Sequence, residues 1–253
     1  MSSNSSQQEI LSSGAGRAGL AFAAPIGGGV LASLLVGGLG TAVTDQSAAA
    51  ILFAGLGLVS WFIGLRWYGL PGMGLRGKRP LYASIGFAAL GWVAFLLLRF
   101  YFVQLLGFGP PDSGRSFIFL LLFEAFAVQL WVFGLLFRAL ADWRGPMTAA
   151  IGSGIIFGAV AYLLFRESFS GSMVSFLQFV MWGVLLGIIR LRTGSILGSV
   201  IVQALQSFTA WTVMVPESPP LLNQLQTLYL TVSVAYLILI WRLWPKVEGD
   251  YRV

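Results

Sequence analysis

The chain contains no cysteine and no histidine in 253 residues. The first absence rules out a disulfide framework and thiol chemistry. The second rules out imidazole acid–base catalysis. It also removes the commonest ligands of zinc sites and leaves only carboxylates to hold a metal, so neither a metal nor a cofactor is expected. Charge is scarce as well. Only 9% of the residues are charged while 57% are hydrophobic, and the mean hydropathy is +0.85. A soluble domain carries about a quarter charged residues, so the composition is that of a polytopic membrane protein. The net charge of +6 does not make nucleic acid a partner, because the basic residues fall in loops between apolar stretches, where membrane topology accounts for them.

The expected fold is all-α, a polytopic bundle of about eight transmembrane helices. Eight apolar stretches are long enough to cross about 30 Å of hydrocarbon: 18–43, 47–65, 81–106, 117–141, 147–165, 173–189, 194–215 and 225–243. The expected organisation is a disordered, Ser/Gln-rich tail over 1–16, one transmembrane domain over 17–245, and a short cytoplasmic tail over 246–253. Met1 to Ser13 lacks the basic start and early cleavage site of a secretory signal. Glycine is dense in the first span, at Gly27–Gly29 and Gly37–Gly38, which suits close helix contact.

The loops orient the bundle. The even-numbered side and both tails hold Arg17, Arg66, Arg76, Lys78, Arg79, Arg138, Arg144, Arg190, Arg192, Arg242, Lys246 and Arg252. The opposite side holds Arg115 and Arg166. Twelve against two predicts an integral membrane protein with both termini in the cytoplasm, or the stroma of an organelle. Trp67, Tyr68, Trp143, Trp241 and Trp244 fall near the same boundary, as interfacial aromatics do. The basic, glycine-rich Leu70 to Pro80 lacks a phosphate-loop pattern and reads as a loop touching lipid headgroups. Pro216 to Pro220 reads as a rigid outer turn. Gly183 and Gly187 form a GxxxG face suited to packing on another helix, within the protein rather than between copies.

The stretch from Met181 to Ser207 carries the most specific signal. One apolar helix ends in a tight turn, Arg190-Leu191-Arg192-Thr193-Gly194, and the next carries Gln203 and Ser207 four residues apart on one face. This arrangement resembles the closing motif of the CPBP intramembrane proteases, the family of the type II CAAX prenyl endopeptidases and bacteriocin-processing (Abi) enzymes, where those positions hold a histidine and an asparagine. Upstream, Val128-Gln129-Leu130-Trp131-Val132-Phe133-Gly134 stands where the family has EExxxRG, with Gly145-Pro146 setting the register. Phe157 to Ala161 stands where the family has FxxxH. The resemblance covers about 117–211.

In that family a glutamate is thought to activate water, while histidines and an asparagine position it and meet the developing oxyanion, a sensible division of labour. The resemblance implies that this chain has lost all of those groups. The glutamates are replaced by Val128 and Gln129, the arginine by Phe133, the histidines by Ala161 and Gln203, and the asparagine by Ser207. None of the replacements accepts a proton near neutral pH. Val, Phe and Ala are also ordinary packing residues on membrane helices, and isolated Gln and Ser commonly bond between helices. The old site is therefore read either as a degenerate cavity or as a region collapsed into packing. Phe133 argues for filling and Ala161 for space.

Two charges, Arg99 and Glu124, lie deep in expected spans. Each costs about 2.5–3.5 kcal/mol at a helix centre. Their similar depths suggest that they pair with each other. The alternative is that Glu124, one turn before Val128, faces the old site and replaces the missing base. Three functions follow. The first is a catalytically inactive CPBP homologue acting as a membrane binding, assembly or structural subunit, with the lipid bilayer and another membrane protein as partners. The second is an active endopeptidase using Glu124. The third is a small-molecule or lipid transporter, for which no paired half-repeat with broken helices is visible.

Overall fold

A computed structural model of the chain describes residues 13–38, 45–103, 113–164, 172–213 and 220–253, and the described residues form helices and no strands. The rest of the bundle is organised around a long composite helix. α1 is Gly14–Gly38, α2 is Asp45–Gly72 and α3 is Arg79–Phe102. α4 covers residues 113–144 and changes pitch along its length. It begins as an α-helix over Ser113–Phe119, widens to a π-helix over Leu120–Ala125, tightens over Phe126–Gln129, widens again over Leu130–Leu136 and ends as an α-helix over Phe137–Arg144. α5 is Pro146–Leu164, α6 is Met173–Thr193, α7 is Leu197–Phe208 extended by a π turn Thr209–Val213, and α8 is Leu222–Leu243.

Seven of these helices are long and apolar enough to cross a bilayer, and α7 is apolar but shorter. The expected span over 194–215 is the one that differs. Its first residues are spent on the turn at Gly194, and the described helix is only 12 residues before its π extension. Of the expected tail over 1–16, residues 14–16 are helical. Residues 1–12 lie outside the described residues, and α1 already starts at Gly14, where the Ser13 hydroxyl accepts from the Gly16 N–H at 3.0 Å, a serine N-cap. Arg166 and most of the proline-rich turn near 216–220 also lie outside the described residues, whereas Arg115 falls in the first turn of α4.

α4 and α6 form the interior. Leu130, Val132, Phe133, Leu135, Phe137, Leu185, Ile188 and Ile189 are fully buried. The rim helices instead turn large apolar side chains outward, among them Leu34 and Leu35 of α1, Phe62 of α2 and Leu97 of α3. That inversion is what a hydrocarbon solvent requires. Glycine sets the closest contacts. A Cβ on Gly183 would run into the Gly154 carbonyl, and one on Gly187 into the Ala150 carbonyl. The GxxxG face of α6 therefore packs against α5 within the chain. Gly28, Gly29 and Gly55 do the same for α1 and α2, whereas Gly27 and Gly37 have nothing within 4 Å.

Where the helices depart from regular α geometry, backbone carbonyls lose their usual donors and side chains from other helices take them. Pro25 has no N–H to offer Ala21, and the Trp131 indole donates to the Ala21 carbonyl at 3.1 Å. In the second π segment of α4 the Phe137 N–H bonds to Val132 rather than Phe133, and the Phe133 carbonyl accepts from Arg190 Nε at 3.2 Å. In the π turn after α7, the Ala210 carbonyl accepts from Arg99 Nη2 at 3.1 Å. Buried backbone groups are almost always paired, and here the pairing ties one helix to the next.

Candidate functional site

The six positions singled out by the resemblance lie on α4, α5 and α7. Val128, Gln129 and Phe133 lie on α4, Ala161 on α5, and Gln203 and Ser207 on α7, and every one of them is buried. Gln129 Nε2 donates to Gln203 Oε1 at 2.6 Å. Two of the positions that the sequence resemblance singled out thus share an amide–amide bond. Phe133, at the arginine position, packs on Phe157 with ring centroids 5.6 Å apart and planes tilted 42°. Val128, Phe133, Phe157 and Ala161 belong to one continuous apolar cluster. Neither of the two described cavities is lined by any of the six positions; the larger, about 490 Å³, is lined by Ala159, Tyr162, Leu163, Met173 and Phe176.

One charged side chain joins this group. Glu124 Oε1 accepts from the Ser207 hydroxyl at 3.0 Å, with both residues buried. The expected Arg99–Glu124 ion pair is not made. Glu124 turns to α7, while Arg99 donates to the Ala210 carbonyl. The reason lies in helix pitch. On a regular α-helix five residues turn through about 140° beyond a full revolution, so Glu124 and Gln129 would face different neighbours. The π turn over Leu120–Ala125 holds more residues per turn, which narrows the angle between Glu124 and Gln129. The two α4 residues, five apart, then meet Ser207 and Gln203, four apart on α7. π turns are rare and frequent at functional sites. In this chain one precedes and the other overlaps residues 128–134, the stretch compared with EExxxRG.

Arg190 is the residue whose role the sequence concealed. Its place beside a turn reads as a boundary charge, yet it is 1% exposed. Besides the Phe133 carbonyl it donates from Nη2 to the Gly72 carbonyl at 2.9 Å and from Nη1 to the Arg252 carbonyl at 3.3 Å. Its guanidinium also lies over the Phe137 ring, 5.1 Å from the centroid. The available signal was spacing. Arg190 and Arg192 are two apart, so on a helix they point to nearly opposite sides and only one can face water. Gly194, at φ +71°, closes α6 by donating to the Arg190 carbonyl. That left-handed C-cap favours glycine. Thr193 Oγ1 completes the turn by accepting from the Ser195 N–H at 3.2 Å.

The geometry coincides with a family match. Residues 110–209 match the family model described as type II CAAX prenyl endopeptidase Rce1-like. Over this segment the chain is similar to the Rce1-like family. The matched Rce1-like segment runs from the start of α4 to the end of α7 and holds all six positions as well as Glu124 and Arg190. No curated protein and no solved structure matches the chain.

Chemically, the described site offers one carboxylate, one hydroxyl and two amides. Among the described residues no three His, Cys, Asp or Glu side chains come together to hold a metal ion. Gln129 Oε1 is buried without a hydrogen-bond partner, so the amide pair keeps one acceptor unused. A second polar cluster, which no sequence pattern marks, lies on α6, α7 and α8. There Gln206 Nε2 reaches the Tyr236 hydroxyl at 3.5 Å, and the side-chain oxygens of Gln178 and Gln206 are buried without partners.

Proposed function

We propose that this Rce1-like chain is a catalytically inactive membrane protein that holds another membrane protein in a complex, as a binding, assembly or structural subunit. The observation that carries the reading is the 2.6 Å bond between Gln129 and Gln203. Two positions that would have to present a base and a polarising donor to a water instead bond to each other. The Phe133–Phe157 stack supports the same reading, because aromatic rings fill the place of a cation. A helical scaffold of this kind can retain a surface for a membrane-embedded segment after losing the chemistry that cut it. The excess of arginine and lysine on one side of the bundle supports an orientation with both termini in the cytoplasm or stroma.

The test has two readouts. The purified chain, mixed with a prenylated CAAX peptide, is expected to leave it uncut over hours. A mild-detergent extract of native membranes is expected to yield a membrane protein at fixed stoichiometry with the chain. Cleavage of the peptide overturns the reading, as does recovery of the chain always alone.

A second reading rests on the Ser207–Glu124 bond. In it Glu124 serves as the base and Ser207 orients it, so the chain remains an intramembrane endopeptidase. Under that reading Glu124→Gln abolishes a cleavage product while the protein still assembles. Under the first reading no product exists to lose.

A further inference from the structure

Beyond the catalytic question, the end of the bundle around Gly194 gathers more positive charge than the described residues neutralise. The segment after α2 folds onto the α6–α7 turn. The Ile196 N–H donates to the Gly74 carbonyl at 2.8 Å, and the Ser195 hydroxyl donates to the Arg76 carbonyl at 2.8 Å. The residues after α8 fold onto the same turn from the other side, where the Arg252 N–H donates to the Leu191 carbonyl at 2.8 Å. Asp250 holds this tail by pairing with Arg192 at 3.5 Å and accepting from the Lys246 N–H at 3.1 Å. The short tail expected over 246–253 is thus docked on the α6–α7 turn.

Docking brings the Arg252 backbone and Cβ beside Arg76. A Cβ on Gly194 would lie 3.1 Å from Arg76 Nη1 and 3.1 Å from the Arg252 Cβ. Beneath them sits Arg190, whose bonds all go to neutral carbonyls. Lys78 and Arg79 follow in the same segment and are exposed, as is Arg252. The ion pairs among the described residues are Arg138–Asp142 and Arg192–Asp250. Neither involves Arg76, Lys78, Arg79, Arg190 or Arg252. Crowding cations around a side-chain-free floor is unfavourable unless an anion shares the site, and the carboxylate of Asp250 is already taken by Arg192. The ends of α2, α6 and α8 place this cluster where the spans leave the membrane, the depth at which phospholipid phosphates lie.

We infer that the segment after α2 and the docked C-terminal segment together form a binding site for the headgroup of an anionic phospholipid, with Arg76 and Arg252 as its two jaws and Lys78 and Arg79 at its rim. The tail is part of the site, because its docking carries Arg252 to Arg76. A generic basic surface would not require that.

The full chain is tested in nanodiscs of phosphatidylcholine alone or with phosphatidylglycerol, by native mass spectrometry for retained lipid and by thermal unfolding. Wild-type protein is expected to retain phosphatidylglycerol and to unfold at higher temperature with it. Arg76→Gln with Arg252→Gln is expected to lower phosphatidylglycerol affinity about 25-fold, at roughly fivefold for each charge near the membrane surface. Arg66→Gln with Arg144→Gln, a matched change at exposed arginines elsewhere, is expected to leave the affinity unchanged. If the first double variant folds poorly, Arg252→Gln alone is expected to lose about fivefold, with Arg252→Lys restoring the affinity. Equal losses from both double variants overturn the site, and so does no loss from the first. Inorganic phosphate alone reproducing the stabilisation overturns the lipid assignment.

Discussion

Arg190 and Glu124 are both charged and buried, and both lie on the helices that carry the Rce1-like match, yet they are held in opposite ways. Arg190 is stapled. Three carbonyls from three parts of the chain, Phe133, Gly72 and Arg252, take its donors, and the Phe137 ring covers it. Glu124 has a single hydroxyl donor, from Ser207. A charge that three carbonyls depend on is architecture, because removing it strands each partner. A charge with one partner is replaceable, and so is open either to loss or to chemical use. The difference places the mechanical centre of the bundle near the α6–α7 turn and its chemically adaptable part about midway along α4.

Four experiments put that contrast at risk. The largest effect is expected from Arg190→Met, which leaves three carbonyls without donors. Stability should fall by roughly 3 kcal/mol or more, read as unfolding in mixed micelles. Arg190→Lys should recover only part of the loss, since a point charge cannot span the fork. A fully stable Arg190→Met protein would end the claim that this residue is a staple.

The next effect asks whether stiffness continues along α6. Gly183→Val should cost about 1–3 kcal/mol by overpacking, because its Cβ collides with the Gly154 carbonyl. Gly27→Val, with nothing within 4 Å of its Cβ, should stay within about 0.5 kcal/mol. Equal costs for the two would show that the α5–α6 contact yields to a side chain. The same unfolding assay reads both.

A smaller effect belongs to the amide pair. Gln129→Leu or Gln203→Leu alone should cost about 1–2 kcal/mol by orphaning the other amide. The double variant should recover most of that, with a coupling of order 0.6–1.7 kcal/mol, the range for interhelical hydrogen bonds in membranes. Strict additivity would mean that the two side chains do not bond. The smallest effect is expected from Glu124→Gln. An amide oxygen still accepts from Ser207 and the buried charge disappears, so stability should change by less than about 1 kcal/mol. A larger loss would make Glu124 a second staple and erase the contrast.

Much of the fold could be read from the chain itself. The apolar stretches locate α1 to α6 and α8, and the GxxxG of α6 identifies a packing face, because hydrophobicity and side-chain size act locally and need no knowledge of neighbours. The resemblance was also legible, since Arg190 to Gly194 and the spacing of Gln203 and Ser207 form a pattern that falls inside the matched residues 110–209. The partner of Glu124 was not. Matching depths in adjacent spans suggested Arg99, but which way a residue faces depends on helix pitch. The π turns that reset the pitch of α4 leave no mark in composition.

Residue types alone determined that this protein lives in a membrane, that it carries the frame of an Rce1-like segment, and that imidazole and thiol chemistry are closed to it. Only the assembled helices decided that Gln129 binds Gln203, that Glu124 answers Ser207, and that Arg190 lies buried against a docked C-terminal segment. The physical reason is one of range. Solvent preference belongs to each side chain, whereas a released carbonyl acquires a partner only when another helix brings a donor to it.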